Sequence, residues 1–176
     1  MQISLRSFEP ESEAEELAKF LSENRWPFHV YSELTLEGVR TRIAEGAYVN
    51  EDRQTFWIET PERVGIAVLE DLQDDAPLFD LRLAESVRGQ GIAAAALGAL
   101  TALVFERFPD VRRFEGQTRQ DNLAMRRTFL KNGFVKEAHY RQGWPTADGR
   151  YLDSVAYAIL RQDFETGQTT PVDWQD

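Results

Sequence analysis

The spacing of apolar residues divides the chain into short strands and amphipathic helices. Alternating residues, or short apolar runs between turn signals, predict strands. These strands are expected at 1–8, 54–60, 63–71, 77–83, 111–118, 134–144 and 150–160. Apolar residues at helical spacing predict one helix beginning near Ser12 and three more at 35–45, 91–108 and 122–132, the last with Asp121 or Asn122 as its N-cap.

Local signals mark where the first two helices begin and end. Ser12 and Glu15 have the spacing of a capping box, and Thr35 is the predicted N-cap of the second helix. Pro27 disfavours helix at the residue before it. The segment 23–34 is therefore expected to interrupt the helical region.

The elements follow the order strand, two helices, three strands, helix, strand, helix and two strands. This mixture predicts an α+β (mixed α/β) sheet covered by helices. The 176 residues fit one domain, which is long enough to bury a core. We expect a single domain over 1–165 and an irregular tail over 166–176, because the end of the chain has no hydrophobic periodicity.

Composition narrows the classes of function. The absence of cysteine excludes disulfides, thiolate metal sites and a cysteine nucleophile, and two histidines argue against a histidine-rich zinc site, so no metal is expected. A formal net charge of −10 argues against a nucleic-acid partner and suits a cationic substrate. No stretch has the length of a membrane span and the first residues lack signal-peptide character, so we expect a cytoplasmic protein with no membrane partner.

The stretch "SVRGQGIAAAAL", residues 86–97, joins a predicted strand to a predicted helix through two glycines. Successive amides there can face one anion at a helix N-terminus, which predicts a phosphate cradle. The alternative is a tight turn that needs glycine for its dihedral angles. No P-loop follows, but Gly89, Gly91 and Ala94 satisfy the looser dinucleotide fingerprint, with Glu115 as the acidic residue. A Rossmann-type nucleotide binder is therefore an alternative, although the turn lies halfway along the chain.

The segments "VRGQGIA" and "QDNLAMRRTFLKNGF" together resemble the GNAT superfamily of acetyl-CoA-dependent N-acetyltransferases. The resemblance covers residues 2–165, and "LRSFEP", "FEGQTRQDNLAM" and "YLDSVAYAIL" look most like the RimJ/RimL-type branch. It implies the GNAT fold, a mostly antiparallel sheet of about seven strands, splayed in the middle and flanked by about four helices.

The resemblance also implies acetyl-CoA as co-substrate and a set of residues that bind it. The pyrophosphate would lie on the amides of Arg88, Gly89, Gln90, Gly91, Ile92, Ala93 and Ala94. The pantetheine arm would pair as an added strand with Leu81, Arg82 and Leu83. Asn122 would bond the same arm, although its simplest role is to cap the following helix.

Two carboxylates are candidates for the general base that acetyl transfer to an amine requires. Glu115 lies inside a predicted strand, where glutamate is disfavoured, at a position where the RimJ/RimL-type branch commonly has glutamate. The alternative is an exposed glutamate paired with Arg112 or Arg113. Asp80, on the strand before the glycine turn, is the second candidate, and its alternative role is as an arginine partner.

The segment between the first two helices supplies candidate acceptor-binding residues. Trp26, Phe28, His29 and Tyr31 could enclose the aliphatic part of an amine and favour its cation. Aromatic packing onto the core is the alternative, and His29 is also a candidate base. The implied acceptor is a small-molecule amine or a peptide N-terminus.

The sequence departs from the superfamily pattern in the last predicted helix. Phe129 stands where many members have a tyrosine that protonates the leaving thiolate, and Met125 replaces a serine. Phe129 is expected to contact the cofactor, and the general acid is unassigned. A catalytically weak or inactive acyl-CoA-binding or regulatory module is therefore the alternative function. The sequence leaves a homodimer open.

Overall fold

A seven-stranded sheet with helices on both faces makes up the computed structural model of the chain, which describes residues 3–174. The strands are β1 (Ser4–Ser7), β2 (Gln54–Glu59), β3 (Arg63–Glu70), β4 (Leu78–Leu83), β5 (Arg113–Arg119), β6 (Val135–Pro145) and β7 (Tyr151–Leu160). The helices are α1 (Pro10–Glu23), α2 (Leu36–Ala44), α3 (Ile92–Arg107), α4 (Leu123–Lys131) and α5 (Arg161–Thr166). Positions 1, 2, 175 and 176, at the outer ends of the predicted first strand and tail, lie outside the described residues.

The strands lie in the order β1-β2-β3-β4-β5-β7-β6, and only β4 and β5 are parallel neighbours. All of β4 from Leu78 to Leu83 pairs with β3, but only Leu78 pairs with β5, at Glu115. The two parallel strands separate beyond that pair. The predicted mixed α+β fold, with a mostly antiparallel sheet splayed in the middle, is confirmed.

The central strands are buried on both faces of the sheet. Phe56 and Ile58 pack into a core with α3 and α4, while Trp57 between them packs into a second core with α1 and α2. Ile66 of β3 joins the second core. Two-sided burial explains why β2 and β3 have nearly continuous apolar sequences instead of alternating ones.

The helix α1 begins earlier than the sequence predicts. Its N-cap is Glu9 and Pro10 occupies the first turn, where the missing amide of proline leaves no bond unmade. The predicted capping box at Ser12 is wrong, because Ser12 lies inside the helix. Glu13 takes the role of the box glutamate, since its Oε2 accepts a hydrogen bond from the Glu9 amide at 2.9 Å.

The helix α5 is a fifth helix within residues 3–174, where the sequence predicted about four. It spans the predicted boundary between domain and tail, and residues 168–174 form no helix or strand. Thr170 Oγ1 donates to Asp163 Oδ1 at 2.7 Å and so fastens this segment to α5. Over the described part of the chain, no helix is long and apolar enough to cross a membrane.

Candidate active site

Two adjoining cavities lie where β4 and β5 separate. The inner cavity, of about 520 Å³, is walled by both strands and by the segment between α1 and α2. The outer cavity, of about 360 Å³, lies between the end of β4, the start of α3 and α4. The residues that line both are Phe28, His29, Leu81, Arg82, Asn122 and Met125. A ligand extended through the gap would therefore contact both cavities.

The glycine turn forms the wall of the outer cavity at the N-terminus of α3. Gly89 and Gly91 have φ values of +77° and +84°, which favour glycine, and a Cβ built on either would meet nothing within 4 Å. The Ala95 amide donates to the Gly91 carbonyl at 3.3 Å, so the amides before Ala95 precede the helical ladder. No side chain caps this helix and its first turn has no acidic residue. The turn therefore presents an open, positively polarised helix end to the cavity.

The other predicted cradle positions are placed differently. The Arg88 amide donates to the Glu85 carbonyl at 3.3 Å, and the Gln90 side chain donates to the Ser86 carbonyl at 3.1 Å. Ile92 is buried in the core at 3% exposure. Of the predicted cradle residues, Arg88, Gly89, Gly91, Ala93 and Ala94 line the outer cavity.

Two basic residues of α4 that the sequence analysis missed line the outer cavity. Arg127 and Lys131 are four positions apart, so they lie on one face of the helix. Neither forms an ion pair with any residue in the range 3–174. Their helical spacing beside the predicted cradle was the available signal. They add positive charge at the place where the glycine turn presents its amides.

Two arginines hold the segment after α1 across the gap between the separated strands. Arg88 Nε donates to the Leu83 carbonyl at 3.0 Å and its Nη2 donates to the Arg25 carbonyl at 2.5 Å. From the other side, Arg119 Nη1 donates to the Pro27 carbonyl at 2.9 Å. The side chain of Arg88 therefore positions the cavity wall, and its guanidinium is already engaged.

The predicted pantetheine-binding residues lie along β4 at the seam, the place where the two cavities meet. Leu81 and Leu83 belong to the part of β4 that has no strand partner on the β5 side, so an extended ligand can pair there. Asn122 Oδ1 accepts from the Met125 amide at 3.2 Å, which confirms its role as helix cap. Its Nδ2 donates to Thr118 Oγ1 at 2.9 Å.

Aromatic rings form much of the inner cavity. Phe28, Tyr31, Phe79 and Trp144 all line it, and Tyr31 is 61% exposed. Trp26 instead lines the outer cavity and is almost fully buried. The inner cavity therefore suits an aliphatic or cationic group more than a bare anion.

Phe129, the residue in place of the expected tyrosine, lines the inner cavity and is 1% exposed. Its ring is stacked on Tyr157, with centroids 4.7 Å apart and an interplanar angle of 4°. Phe129 is not among the residues of the outer cavity.

A histidine, an aspartate and an arginine form a polar cluster at the seam. His29 Nε2 lies 2.8 Å from Asp80 Oδ1, and Arg82 Nε donates to Asp80 Oδ2 at 2.8 Å. Burial by itself raises the pKa of Asp80, but Arg82 and His29 together hold that pKa well below its usual range. Asp80 is therefore an ionised carboxylate with both oxygens engaged.

Glu115, the first candidate base, lines neither cavity. Its Oε1 lies 2.6 Å from Nε of Arg113, the arginine partner that the sequence analysis named as the alternative. Arg113 also bonds Glu137 of β6. The geometry favours the structural role for Glu115.

Two charged residues that the sequence analysis did not single out line the inner cavity. Glu70 lies at the end of β3, and Arg53 Nη2 is 3.7 Å from its Oε1. Burial raises the pKa of Glu70. Arg42 lies over the Tyr48 ring, 5.8 Å from its centroid. Among residues 3–174, no cluster of three or more histidines and carboxylates could hold a metal ion.

Comparison with known families gives one match. Residues 2–135 match the sequence profile described as an acetyltransferase (GNAT) domain. Among curated protein sequences, none matches the chain.

Solved structures of acetyltransferases share the fold. RimL, a ribosomal-protein alpha-N-acetyltransferase in complex with coenzyme A, is 23% identical, with 91% of this chain and 94% of that chain covered at a TM-score of 0.77. Mycobacterium smegmatis RimJ, in complex with a coenzyme A disulfide, is 19% identical, with 92% and 83% covered at a TM-score of 0.77. A spermidine N-acetyltransferase SpeG chimera from Vibrio cholerae and hSSAT is 16% identical, with 94% and 99% covered at a TM-score of 0.78.

Proposed function

This chain belongs to the GNAT acetyltransferase family, and we propose that it transfers the acetyl group of acetyl-CoA to a primary amine, on a peptide N-terminus or a small cationic molecule. Enzymes of this family use acetyl-CoA as the donor. The observation that carries the proposal is the pair of adjoining cavities, one at an open helix N-terminus and the other lined by aromatic side chains.

The outer cavity fits the donor. The amides around Gly89 and Gly91 would bind the pyrophosphate, and Arg127 and Lys131 would neutralise phosphate charge. The unpaired edge of β4 would receive the pantetheine arm, which brings the thioester toward the inner cavity.

The inner cavity fits the acceptor. The rings of Phe28, Tyr31 and Trp144 supply apolar walls with π-faces, and Glu70 supplies a carboxylate. The net charge of −10 adds attraction for a cation over longer distances. Two relatives of the same fold are named for a protein alpha-amine and for spermidine, which supports an amine as the acceptor class.

The chemistry is direct attack of the neutral amine on the thioester carbonyl. The side chains around the seam would hold the amine against the thioester, and a general base would remove its proton. A thiol has a reference pKa of about 8.5, so coenzyme A can leave as a thiolate without a dedicated acid. That property accommodates phenylalanine at position 129.

The function is tested with acetyl-CoA and a panel of polyamines, aminoglycosides, amino acids and short peptides. We expect at least one amine to release free coenzyme A thiol and gain the mass of one acetyl group. Coenzyme A binding without turnover on any amine would instead support the acyl-CoA-binding module.

The role of the outer cavity in donor binding is tested by Gly91→Ala. A methyl group at φ +84° would strain the turn and enter the space that the phosphate requires, so we expect coenzyme A affinity to fall by about tenfold or more, or about 1.4 kcal/mol. The matched control is Gly149→Ala, because Gly149 has φ +81° and open space around its Cβ but lies outside both cavities. Both variants place a methyl group at a positive φ, but only Gly91 lines the outer cavity, so calorimetric titration should show weaker coenzyme A binding for Gly91→Ala alone. Equal affinities would contradict the phosphate cradle.

A further inference from the structure

We propose that His29 is the general base that takes the proton from the acceptor amine, and that Asp80 holds its imidazole in the tautomer this requires. The inference rests on the proposed acetyl transfer and names the proton acceptor within it. His29 and Asp80 are 51 positions apart in the sequence and meet at the seam of the two cavities.

The bond between the two residues fixes the tautomer of His29. An ionised carboxylate can only accept hydrogen bonds, so His29 Nε2 must carry the hydrogen that lies toward Asp80 Oδ1 at 2.8 Å. When the imidazole is neutral, the other nitrogen, Nδ1, then keeps its lone pair. Nδ1 makes no hydrogen bond to any residue between 3 and 174. Asp80 thus holds the imidazole by Nε2 and leaves Nδ1 available as a base. A carboxylate orients a catalytic histidine in the same way.

The backbone also fixes the position of the imidazole. The His29 amide donates to the Trp26 carbonyl at 2.9 Å, and the two rings meet edge to face with centroids 6.2 Å apart. The His29 side chain remains 28% exposed and is a wall of both cavities. A group in that place can reach an amine in the inner cavity and a thioester entering from the outer one.

The other carboxylates fit the role of base less well. Asp80 is engaged at both oxygens by His29 and Arg82, and its lowered pKa makes it a weak proton acceptor. Glu115 lines neither cavity and is bound to Arg113. Glu70 lines the inner cavity, but Arg53 Nη2 lies 3.7 Å from its Oε1 and so pairs with this carboxylate.

The acceptor nitrogen enters as an ammonium and loses two protons during the transfer. His29 Nδ1 takes one proton from the ammonium form of the acceptor and passes it to solvent. The lone pair of the neutral amine then forms the C–N bond to the thioester carbonyl carbon, and the C–S bond breaks with its electron pair going to sulfur. A second proton leaves the nitrogen through His29 and reaches the thiolate. Ammonium and acetyl-CoA therefore give amide, free coenzyme A thiol and one released proton.

The first test is His29→Ala, assayed with the amine that the wild-type enzyme acetylates best. We expect kcat/KM to fall by roughly 10²-fold or more, with coenzyme A affinity preserved. Added free imidazole should then restore part of the rate in proportion to its concentration, because it can occupy the vacated space as a base. His29→Gln, which keeps more of the side-chain volume, replaces His29→Ala if the latter does not fold by circular dichroism.

The chain offers a matched control for this variant. His139 Nε2 lies 2.7 Å from Asp153 Oδ2, a second histidine–aspartate pair that is outside both cavities. His139→Ala should keep wild-type kcat/KM and show no response to imidazole. Glu70→Gln and Glu115→Gln test the competing bases in the same assay.

Asp80→Asn tests the positioning role. An asparagine amide can donate to His29 Nε2 and so favour the tautomer with hydrogen on Nδ1, which removes the base. We expect kcat to fall with little change in the KM for acetyl-CoA. The double variant with His29→Ala should be no slower than His29→Ala alone, because the two residues act as one unit.

Three results would overturn the inference. They are a wild-type rate in His29→Ala, a loss in folded His29→Ala that imidazole does not restore, and a rate loss found only in Glu70→Gln or Glu115→Gln. An inactive wild-type enzyme on the whole amine panel would overturn the proposed function itself, an outcome distinct from an active wild-type enzyme with an equally active His29→Ala.

Discussion

The hydrogen-bond partners of a polar side chain determine whether it stabilises this fold or stays available to a substrate. Glu13 is the clearest stabilising case. Its carboxylate, 9% exposed, accepts hydrogen bonds from Arg6, Arg63, the Trp57 indole and the Glu9 amide. Arg6, Trp57 and Arg63 lie on β1, β2 and β3, so Glu13 joins α1 to the first three strands of the sheet. His29 is the opposite case, because one of its nitrogens is anchored and the other has no partner in residues 3–174.

The ionisation of Glu13 should make stability depend on pH. Burial raises its pKa, but the bonds from Arg6, Glu9 and Trp57 and the charge of Arg63 lower it from 4.5 to about 2. A group whose pKa is lowered by folding stabilises the protein above its unfolded pKa and loses that contribution as the pH falls through the folded value. Glu13→Gln should therefore reduce the free energy of unfolding by about 1–3 kcal/mol at pH 7.

The difference between Glu13→Gln and wild type should shrink as the pH falls from about 4.5 toward 2, as denaturant titrations at several pH values would show. Glu11→Gln is the matched control, because Glu11 lies exposed in the first turn of the same helix. Equal stability of Glu13→Gln and wild type at pH 7 would contradict the assignment.

Among the elements, α4 links the fold to the site most directly. Its N-cap, Asn122, lines both cavities, and Arg127 and Lys131 line the outer one. At its C-terminal end, Asn132 Nδ2 donates to the Ala94 carbonyl at 3.1 Å and so joins α4 to the first turn of α3. The helix therefore closes the glycine-turn cavity from the side opposite β4.

The dual position of Asn122 predicts a dual effect of Asn122→Ala. Loss of the cap should lower the free energy of unfolding by about 1 kcal/mol, and loss of its side chain should also weaken coenzyme A binding. Thr35→Ala is the matched control, since Thr35 Oγ1 caps α2 by accepting from the Gly38 amide at 3.1 Å and lines neither cavity. Calorimetry should show reduced coenzyme A affinity only for Asn122→Ala. Equal affinity in the two variants would restrict Asn122 to its capping role.

Taken as one body, the protein is organised around the separation of β4 from β5. The two cores pack on opposite faces of the sheet, and the core beneath α3 and α4 includes Leu83 of β4 and Phe114 of β5, so packing fixes both strands beside the gap. The segment carrying Phe28 and His29 spans the gap and is fastened by Arg88 and Arg119 from opposite sides. A ligand that bridges the separated strands should therefore stabilise the entire fold.

Coenzyme A should accordingly raise the melting temperature. A ligand at about a hundred times its dissociation constant stabilises a native state by about 2.7 kcal/mol, which corresponds to a rise of about 5–10 °C for a chain of this size. NAD at the same concentration should give no comparable shift. Stabilisation by NAD but not by coenzyme A in thermal melts would favour the Rossmann-type alternative.

The local features of this protein follow from its sequence, because they depend on neighbouring residues. Hydrophobic periodicity predicts the strands and four main helices, and the glycines at 89 and 91 predict a tight turn before α3. Thr35 and Asn122 cap their helices as predicted, since a cap needs only the three residues that follow it. The family resemblance supplies the splayed sheet that periodicity alone could not.

The contacts that define the candidate base depend instead on residues far apart in the chain. No local pattern indicates that His29 meets Asp80, or that Arg88 and Arg119 fasten the segment between α1 and α2. Glu115 fits a catalytic pattern in the sequence, yet the sheet places it beside Arg113 and outside both cavities. Ion pairing and burial are properties of the packed chain, so only the tertiary structure decides which polar groups are held by partners and which remain available to a substrate.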